Sequence, residues 1–441
     1  MFPRVATGGE PIEVWPERWN AWILKLTKLQ EATRVWMSRS GDCPITLLVD
    51  DIRTSKLTPP KYCPELSGLV DLLCQTSPRW ERVEFRLRFQ SMTFPTSRLL
   101  FVPPQTNPKL ISVTLRLEFV SLRDHPVRRK LVSSPNIFDT PSIRSLGIGR
   151  RVMIHDILDI PINWRNLRDL DVGSYNKGSP QILSASHIFQ LFKACPNLIK
   201  CTIDLQEDSR PFPMPPETIT LPLLQDLSIS PEAWHLPCSF ASSLNLPSLV
   251  KFRVRDGKED KYYQWLLREA QESGLCEFFE RFGSTLRNVT FSYCPLSPSA
   301  LLHCLHHLPN VTSLTLTNLS KWYFIYIGAQ INRDVLNSFT PRFDKSSRAW
   351  TSLCPSIEEF GFSLGSKIPI VDETALLDFV EARRRVVDET DGSGVVRLRK
   401  VNCNGYGFRT IDPLKDLRSR RVDLVDFSFK DYEYAPSPDL S

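Results

Sequence analysis

Along most of the chain, apolar residues recur at positions i, i+3 and i+5. The triplets are Trp80/Val83/Phe85, Leu110/Val113/Leu115, Ile143/Leu146/Ile148 and Leu167/Leu170/Val172. They continue as Leu198/Cys201/Ile203, Leu224/Leu227/Ile229, Leu249/Phe252/Val254 and Leu286/Val289/Phe291. The last are Val311/Leu314/Leu316, Ile357/Phe360/Phe362, Leu398/Val401/Cys403 and Leu424/Phe427/Phe429. Successive starts lie 24 to 46 residues apart. The step from i+3 to i+5 has the period of a strand, so both side chains point to one face. The positions between them, at i+2, i+4 and i+6, are never apolar. Strict alternation predicts half-buried strands with one solvated face.

The phrase that carries the pattern is easiest to see in LPNVTSLTL (308–316), CPNLIKCTI (195–203) and LPSLVKFRV (246–254). In eight of the twelve units a proline stands two residues before the first apolar position: Pro78, Pro108, Pro141, Pro196, Pro222, Pro247, Pro309 and Pro355. Proline cannot donate to a ladder, so it suits the opening of a strand. Between strands, LSGLVDLLCQ (66–75), SHIFQLFKAC (186–195), 262–283, PSALLHCLHHL (298–308) and TALLDFVEARRRVV (374–387) have helical spacing, with Ser184 and Ser297 as caps. Upstream, 17–39 predicts a helix with one apolar stripe through Trp19, Trp22, Ile23, Leu26, Leu29, Val35 and Trp36, and 43–51 predicts a first strand.

Strand, turn, helix or loop, and strand again at this spacing is the plan of a leucine-rich repeat. The fold expected is α/β: a leucine-rich-repeat-like solenoid of about twelve irregular units. An N-terminal helix would cap its open edge. The expected divisions are an extension and capping helix over 1–42, the repeats over 43–430 and a disordered tail over 431–441.

Composition adds limits. The chain has 441 residues, 24% of them charged, and a net charge of +6, too mild to imply nucleic acid. No apolar run reaches the roughly 18 residues of a bilayer span, and the N-terminus lacks an apolar signal core. An intracellular protein, cytoplasmic or nuclear, is expected, with no membrane partner. The eleven cysteines form no CxxC pair and read as buried free thiols.

Candidate chemistry is sparse. His303, His306 and His307 in LLHCLHHL, with Cys304, could look like a metal cluster, and His303 and His307 have a helical ligand spacing, but no Glu follows the first His and there is no separate carboxylate or CxxC pair. The segment reads as a helix end, with no metal expected. Arg383, Arg384 and Arg385 read as a solvated helix C-terminus. Arg128, Arg129 and Lys130, and Arg418, Arg420 and Arg421, are the basic patches that a nuclear-import or phosphate reading would use. GIGRR (147–151) is too short for a phosphate loop, and no nucleophile elbow occurs. No catalytic residue, cofactor or enzymatic activity is expected. The remaining surface is the polar strand face. Arg82, Arg86 and Arg116 make it basic early, Asp169, Asp171, Asp204 and Asp226 acidic in the middle, and Lys251, Arg253 and Arg255 basic again. An unidentified protein ligand is expected there.

The order of phrases resembles the F-box-like, leucine-rich-repeat proteins of mushroom-forming fungi. WMSRSGDCPITLLV (36–49) is similar to their segment joining the F-box to the first strand, and LVDLLCQTSPRWERVEFRL (69–87) to the helix and strand that follow. LCPSIEEFGF (353–362), VDETALLDFVEARRR (371–385) and VVRLRKVNC (395–403) resemble their C-terminal run. The resemblance implies a substrate-recognition region of a ubiquitin-ligase adaptor. Residues 1–35 lack the Leu-Pro opening of an F-box, so a Skp1-type adaptor is expected as a partner only if that module lies upstream. The alternatives are a truncated or orphaned family member without ligase association, or a weak nucleic-acid binder through the basic patches.

Overall fold

The computed structural model describes residues 15–50, 63–89, 95–119, 134–149, 157–173, 183, 185–205, 217–231, 236, 238–254, 274–292, 296–318, 331–346, 349–364, 372–389, 394–405, 412–422 and 426–431. The chain divides into two compact units, 1–181 and 182–441. Residues 432–441 of the expected tail over 431–441, the cap Ser184 and residues 262–273 of the expected helical stretch 262–283 fall outside the described residues.

The first unit opens with the helix Trp15–Arg39, followed by β1 (Ile45–Asp50) and the helix Pro64–Gln75. Then come β2 (Trp80–Phe89), β3 (Ser112–Phe119), β4 (Ser145–Gly149) and β5 (Asp169–Gly173). The strands pair in chain order and in parallel. The second unit holds a parallel sheet of β6 (Lys200–Leu205), β8 (Asp226–Pro231), β10 (Lys251–Val254), β11 (Asn288–Ser292), β12 (Ser313–Asn318), β15 (Glu359–Leu364), β16 (Lys400–Gly405) and β17 (Phe427–Asp431). Two small pairs stand outside it. One is parallel, β7 (Ile219–Thr220) with β9 (Leu244–Asn245); the other is an antiparallel hairpin, β13 (Arg342–Asp344) with β14 (Ala349–Thr351). Both units are α/β, with parallel strands and connecting helices. The i+3 and i+5 positions of all twelve triplets fall on strands of these sheets.

The register explains why the alternation is strict. Cys201, Leu227, Phe252, Val289, Leu314, Phe360, Val401 and Phe427 stand side by side across the second sheet. A slip by one residue would turn a strand's whole apolar set outward. Core residues of the strands meet the helices directly: Phe252 stacks on Phe278 at 4.0 Å, and Phe360 meets Phe379 edge-on at 5.2 Å. Trp80, fully buried, packs against Phe85 and places its indole N–H on Thr76 Oγ1 at 3.2 Å.

Proline has a sharper role than strand opening. The backbone N–H of each first apolar residue returns to the carbonyl three residues back: Leu110 to Asn107, Ile143 to Thr140, Leu198 to Cys195, Leu224 to Leu221, Leu249 to Leu246, Val311 to Leu308, Ile357 to Cys354. Trp80 does the same to Ser77. Each of the eight prolines is therefore the second residue of a β-turn, where its fixed φ is already correct. The turn's first residue is a further core position, and Asn107, Thr140, Cys195, Leu221, Leu246, Leu308 and Cys354 are all buried.

Within each compact unit a second device ties successive repeats together. The carbonyl of the residue after the first apolar position accepts two N–H groups from the following repeat. Ile111, for example, accepts from Arg144 and Ser145, Arg287 from Thr312 and Ser313, and Glu358 from Arg399 and Lys400. Ile199, Gln225, Val250, Thr312 and Arg144 do likewise. Equivalent residues making equivalent bonds is the structural meaning of the repeated phrase.

The N-terminal helix departs from expectation. It lies on Pro64–Gln75, where Gly68 makes room for Gln30; a Cβ there would sit 2.6 Å from Gln30 Nε2. Arg79 fastens its end by donating to Met37 O, Ser40 Oγ and Cys43 O. Trp19 lies outside the described side chains; among the described ones of this helix only Leu26 is buried, whereas Leu24, Leu29, Val35 and Trp36 are exposed. A helix packed against a single neighbouring helix buries a narrower face than the stripe predicted.

Candidate functional site

Two regions present grouped polar chemistry: the strand faces, and a junction between two consecutive helices of the second unit.

On the strand faces the register aligns the polar positions as it aligns the core. One row in the second unit reads Lys200, Asp226, Lys251, Asn288, Ser313, Glu359, Lys400; the next reads Thr202, Ser228, Arg253, Thr290, Thr315, Gly361, Asn402, Ser428. Parallel strands about 4.8 Å apart stack these side chains closely enough to screen one another. The face is thus less solvated than the alternation suggests. Thr202, Asp204, Ser228 and Ser292 are buried, at 5% exposure or less.

Charges cancel along the rows instead of forming fields. In the first unit Arg86 pairs with Asp50 at 3.3 Å and Glu84 at 2.8 Å, and Arg116 with Glu84 at 3.3 Å. The hydrogen bond to Glu84 is the largest reason that the Arg86 guanidinium is held above its ordinary range. Arg116 lies across Gly149, whose Cβ would meet its Cγ at 3.1 Å. The early face is therefore not a basic patch; Arg82 is its exposed cation. Asp169 and Asp171 follow on β5, half-buried and engaged. In the second unit Asp204 is buried and engaged, and Asp226 binds Arg253 at 3.1 Å and Lys251 at 3.7 Å on the adjacent strand. The expected acidic and basic blocks there partly neutralise each other. Arg255 lies outside the described residues, as do Arg128, Arg129 and Lys130. Several polar atoms on this face have no hydrogen-bond partner among the described residues: Asp226 Oδ1, Ser228 Oγ, Arg253 Nε, Ser292 Oγ and Thr317 Oγ1.

The helix junction gathers residues that the sequence leaves apart. The helix Gly274–Phe282 carries Cys276 and Glu280 one turn apart. The helix Pro298–His306 opens on Ser297, whose Oγ accepts from the Ala300 N–H at 3.1 Å, and carries His303 and Cys304, with His307 as its C-cap. Glu280 Oε1 lies 2.7 Å from His303 Nε2, and the His303 and His307 rings are 4.8 Å apart. One ligand atom from each of Glu280, His303 and His307 falls within 4.8 Å of the others. The carboxylate missing from the 298–308 segment is thus supplied by the preceding helix. Cys276 Sγ is 3.3 Å from Cys304 Sγ. The hydrogen bond from Cys304, aided by His303, holds the Cys276 thiol down to about 7, while Cys304, bonded and buried, is pushed up. Gly283 allows the close approach: a Cβ there would lie 2.0 Å from the His307 carbonyl oxygen.

Arg383 overturns the solvated reading of 383–385. It is fully buried, and among the described residues no carboxylate pairs with it. Nε donates to Phe339 O at 3.0 Å, Nη1 to Pro355 O at 3.0 Å, and Nη2 to Ser352 Oγ, Leu353 O and Cys354 O at 2.8 to 3.0 Å. Phe339 ends the helix Arg333–Phe339, so its carbonyl belongs to the negative end of that dipole. Burial pushes the guanidinium down to about 10, still charged at neutral pH, and the nearby Cys354 thiol up to about 12. Arg385 behaves as expected, exposed and paired with Glu381 at 2.5 Å. Arg420, from the second basic patch, is neutralised by Asp378, Glu381 and Asp416 at 2.6 to 3.1 Å. Arg418 and Arg421 are exposed.

Among the described residues no helix is long and apolar enough to cross a membrane. No protein-family model matches this chain, and no curated protein sequence matches it.

Proposed function

We propose that the chain is a non-catalytic protein-binding module. It would be a leucine-rich-repeat-like solenoid of about twelve irregular units whose polar strand face receives a protein ligand. The role resembles that of the substrate-recognition region of an F-box ubiquitin-ligase adaptor. The observation that carries the reading is the register-matched face of the second unit. It offers rows of short polar side chains, mutually compensating charges, and hydroxyls without partners among the described residues. Short hydroxyls and amides on a rigid sheet suit hydrogen bonding to a polypeptide. Compensated charge favours a ligand of mixed charge over a polyanion, because Arg86, Arg116 and Arg253 already hold carboxylates.

The test is affinity capture with the tagged full chain and two classes of variant. Thr315→Arg and Asn402→Arg place bulk and charge on the face; Gln190→Arg places it on an exposed helix position. Capture lost in the first class and kept in the second supports the module. Equal capture by both refers binding elsewhere. A captured set without a Skp1-type adaptor or cullin removes the ligase version while leaving the module intact.

A further inference from the structure

We propose that Glu280, His303 and His307 form a binding site for one divalent transition-metal ion of the zinc class, which ties the helix Gly274–Phe282 to the helix Pro298–His306.

The donor set is two imidazoles and one carboxylate, a combination that suits zinc and its neighbours and disfavours calcium or magnesium, which take oxygen donors. His303 and His307 are four residues apart, so a single helical face presents both. Glu280 projects from the neighbouring helix and already touches His303 at 2.7 Å. Ligand atoms of a tetrahedral zinc ion lie about 3.3 Å apart, from bonds of about 2.0–2.1 Å. The three donors here fall within 4.8 Å of one another, so closing on an ion needs side-chain rotations that move the donor atoms by about 1 Å at the surface. His303 and Glu280 are about half exposed, leaving an entry path for the ion and a coordination position for water. The backbones are held while the side chains move, because Gly283 seats against the His307 carbonyl. A plain surface hydrogen bond accounts for Glu280 and His303 but not for the convergence of His307. His306, the third histidine of the run, is exposed and outside the cluster, and serves as an internal control.

Zinc chloride titrated into the full chain against a chromophoric chelator tests the site, with thermal unfolding read in parallel. The expected result is one ion per chain with a dissociation constant in about the micromolar range, and an unfolding temperature that rises with free zinc. Glu280→Gln, His303→Asn and His307→Asn should each weaken binding about tenfold or more, and His306→Asn should leave it unchanged. All four side chains reach solvent, and circular dichroism verifies that each variant folds. Absence of uptake at micromolar zinc, or equal uptake by the three ligand variants, would overturn the proposal. So would zinc lost in Cys276→Ser but kept in His307→Asn, which would assign the ion to the thiols.

Discussion

The segments HCLHH (303–307) and RRR (383–385) look alike as sequence: each puts a cluster of basic residues at or near the end of an amphipathic helix. Their fates are opposite. The histidines stay near solvent, and His303 meets a carboxylate from the previous helix. Arg383 goes fully inside, and its partners among the described residues are carbonyl and hydroxyl oxygens. The difference lies in what the neighbouring segment offers. Residues 352–355 and the end of Arg333–Phe339 turn a ring of carbonyls inward, and an arginine's planar fork can serve several acceptors at once. The 274–282 helix instead turns a glutamate outward. A buried cation holds parts of the fold together, whereas these imidazoles keep the solvent access that the proposed ion requires.

Arg383→Ala should do the most damage, costing about 3–4 kcal/mol in urea unfolding, because several buried carbonyls lose their donor. Arg383→Lys should recover only part of this, since an ammonium cannot serve the same spread of acceptors. By contrast, His303→Ala should change stability by less than about 1 kcal/mol without metal, as exposed pairs do. Equal losses at the two sites would erase the distinction. Gly283→Ala should cost about 2–3 kcal/mol, because a new methyl must displace the His307 carbonyl. The same change should disturb zinc uptake if the close helix approach sets the cluster.

Next is a chemical contrast between thiols. Cys276, held down to about 7, gains thiolate as pH rises through neutrality, while burial holds Cys354 up at about 12. Alkylation of the folded chain, followed by mass spectrometry, should mark Cys276 with a rate that climbs between about pH 6 and 8 and leave Cys354 unmodified. Cys304→Ala removes the hydrogen bond that lowers Cys276 and should shift that profile to higher pH. The smallest effect expected is a gain. Arg421 occupies the left-handed region at φ 59°, and the Val422 N–H returns to Leu417 O in the C-terminal bond pattern usual for glycine. Arg421→Gly should therefore stabilise by about 0.5–1 kcal/mol.

The regular part of the fold was legible because its causes are local in sequence. Period-two alternation determines which side of LPNVTSLTL is buried: Val311, Leu314 and Leu316 are buried, while Ser313, Thr315 and Thr317 share the polar face. Pro309 marks the turn, though its reason, the second position of a β-turn, needed the bond from Val311 to Leu308. Residues whose role depends on another unit were not legible. Glu280 carries no signal until His303 is placed beside it, 23 residues away. Arg383 looks like any charged helix end until the 352–355 carbonyls surround it. The charge blocks on the strand face were visible as residues but misleading as fields, because register brings Asp226 beside Lys251 and Arg253. The apolar stripe of Trp15–Arg39 was real as sequence, yet periodicity alone did not reveal that Leu29 and Trp36 would lie outside the helix contact.

Site-specific photo-crosslinking separates the face from the rest of the molecule. A photoreactive residue is placed at Thr315 or Asn402 on the polar rows, and at Gln190 on a helix, in the full chain within cells. Protein adducts from the first two positions and none from the third are expected. Adducts from Gln190 alone, or the same adducts from all three, would contradict a recognition role for the strand face.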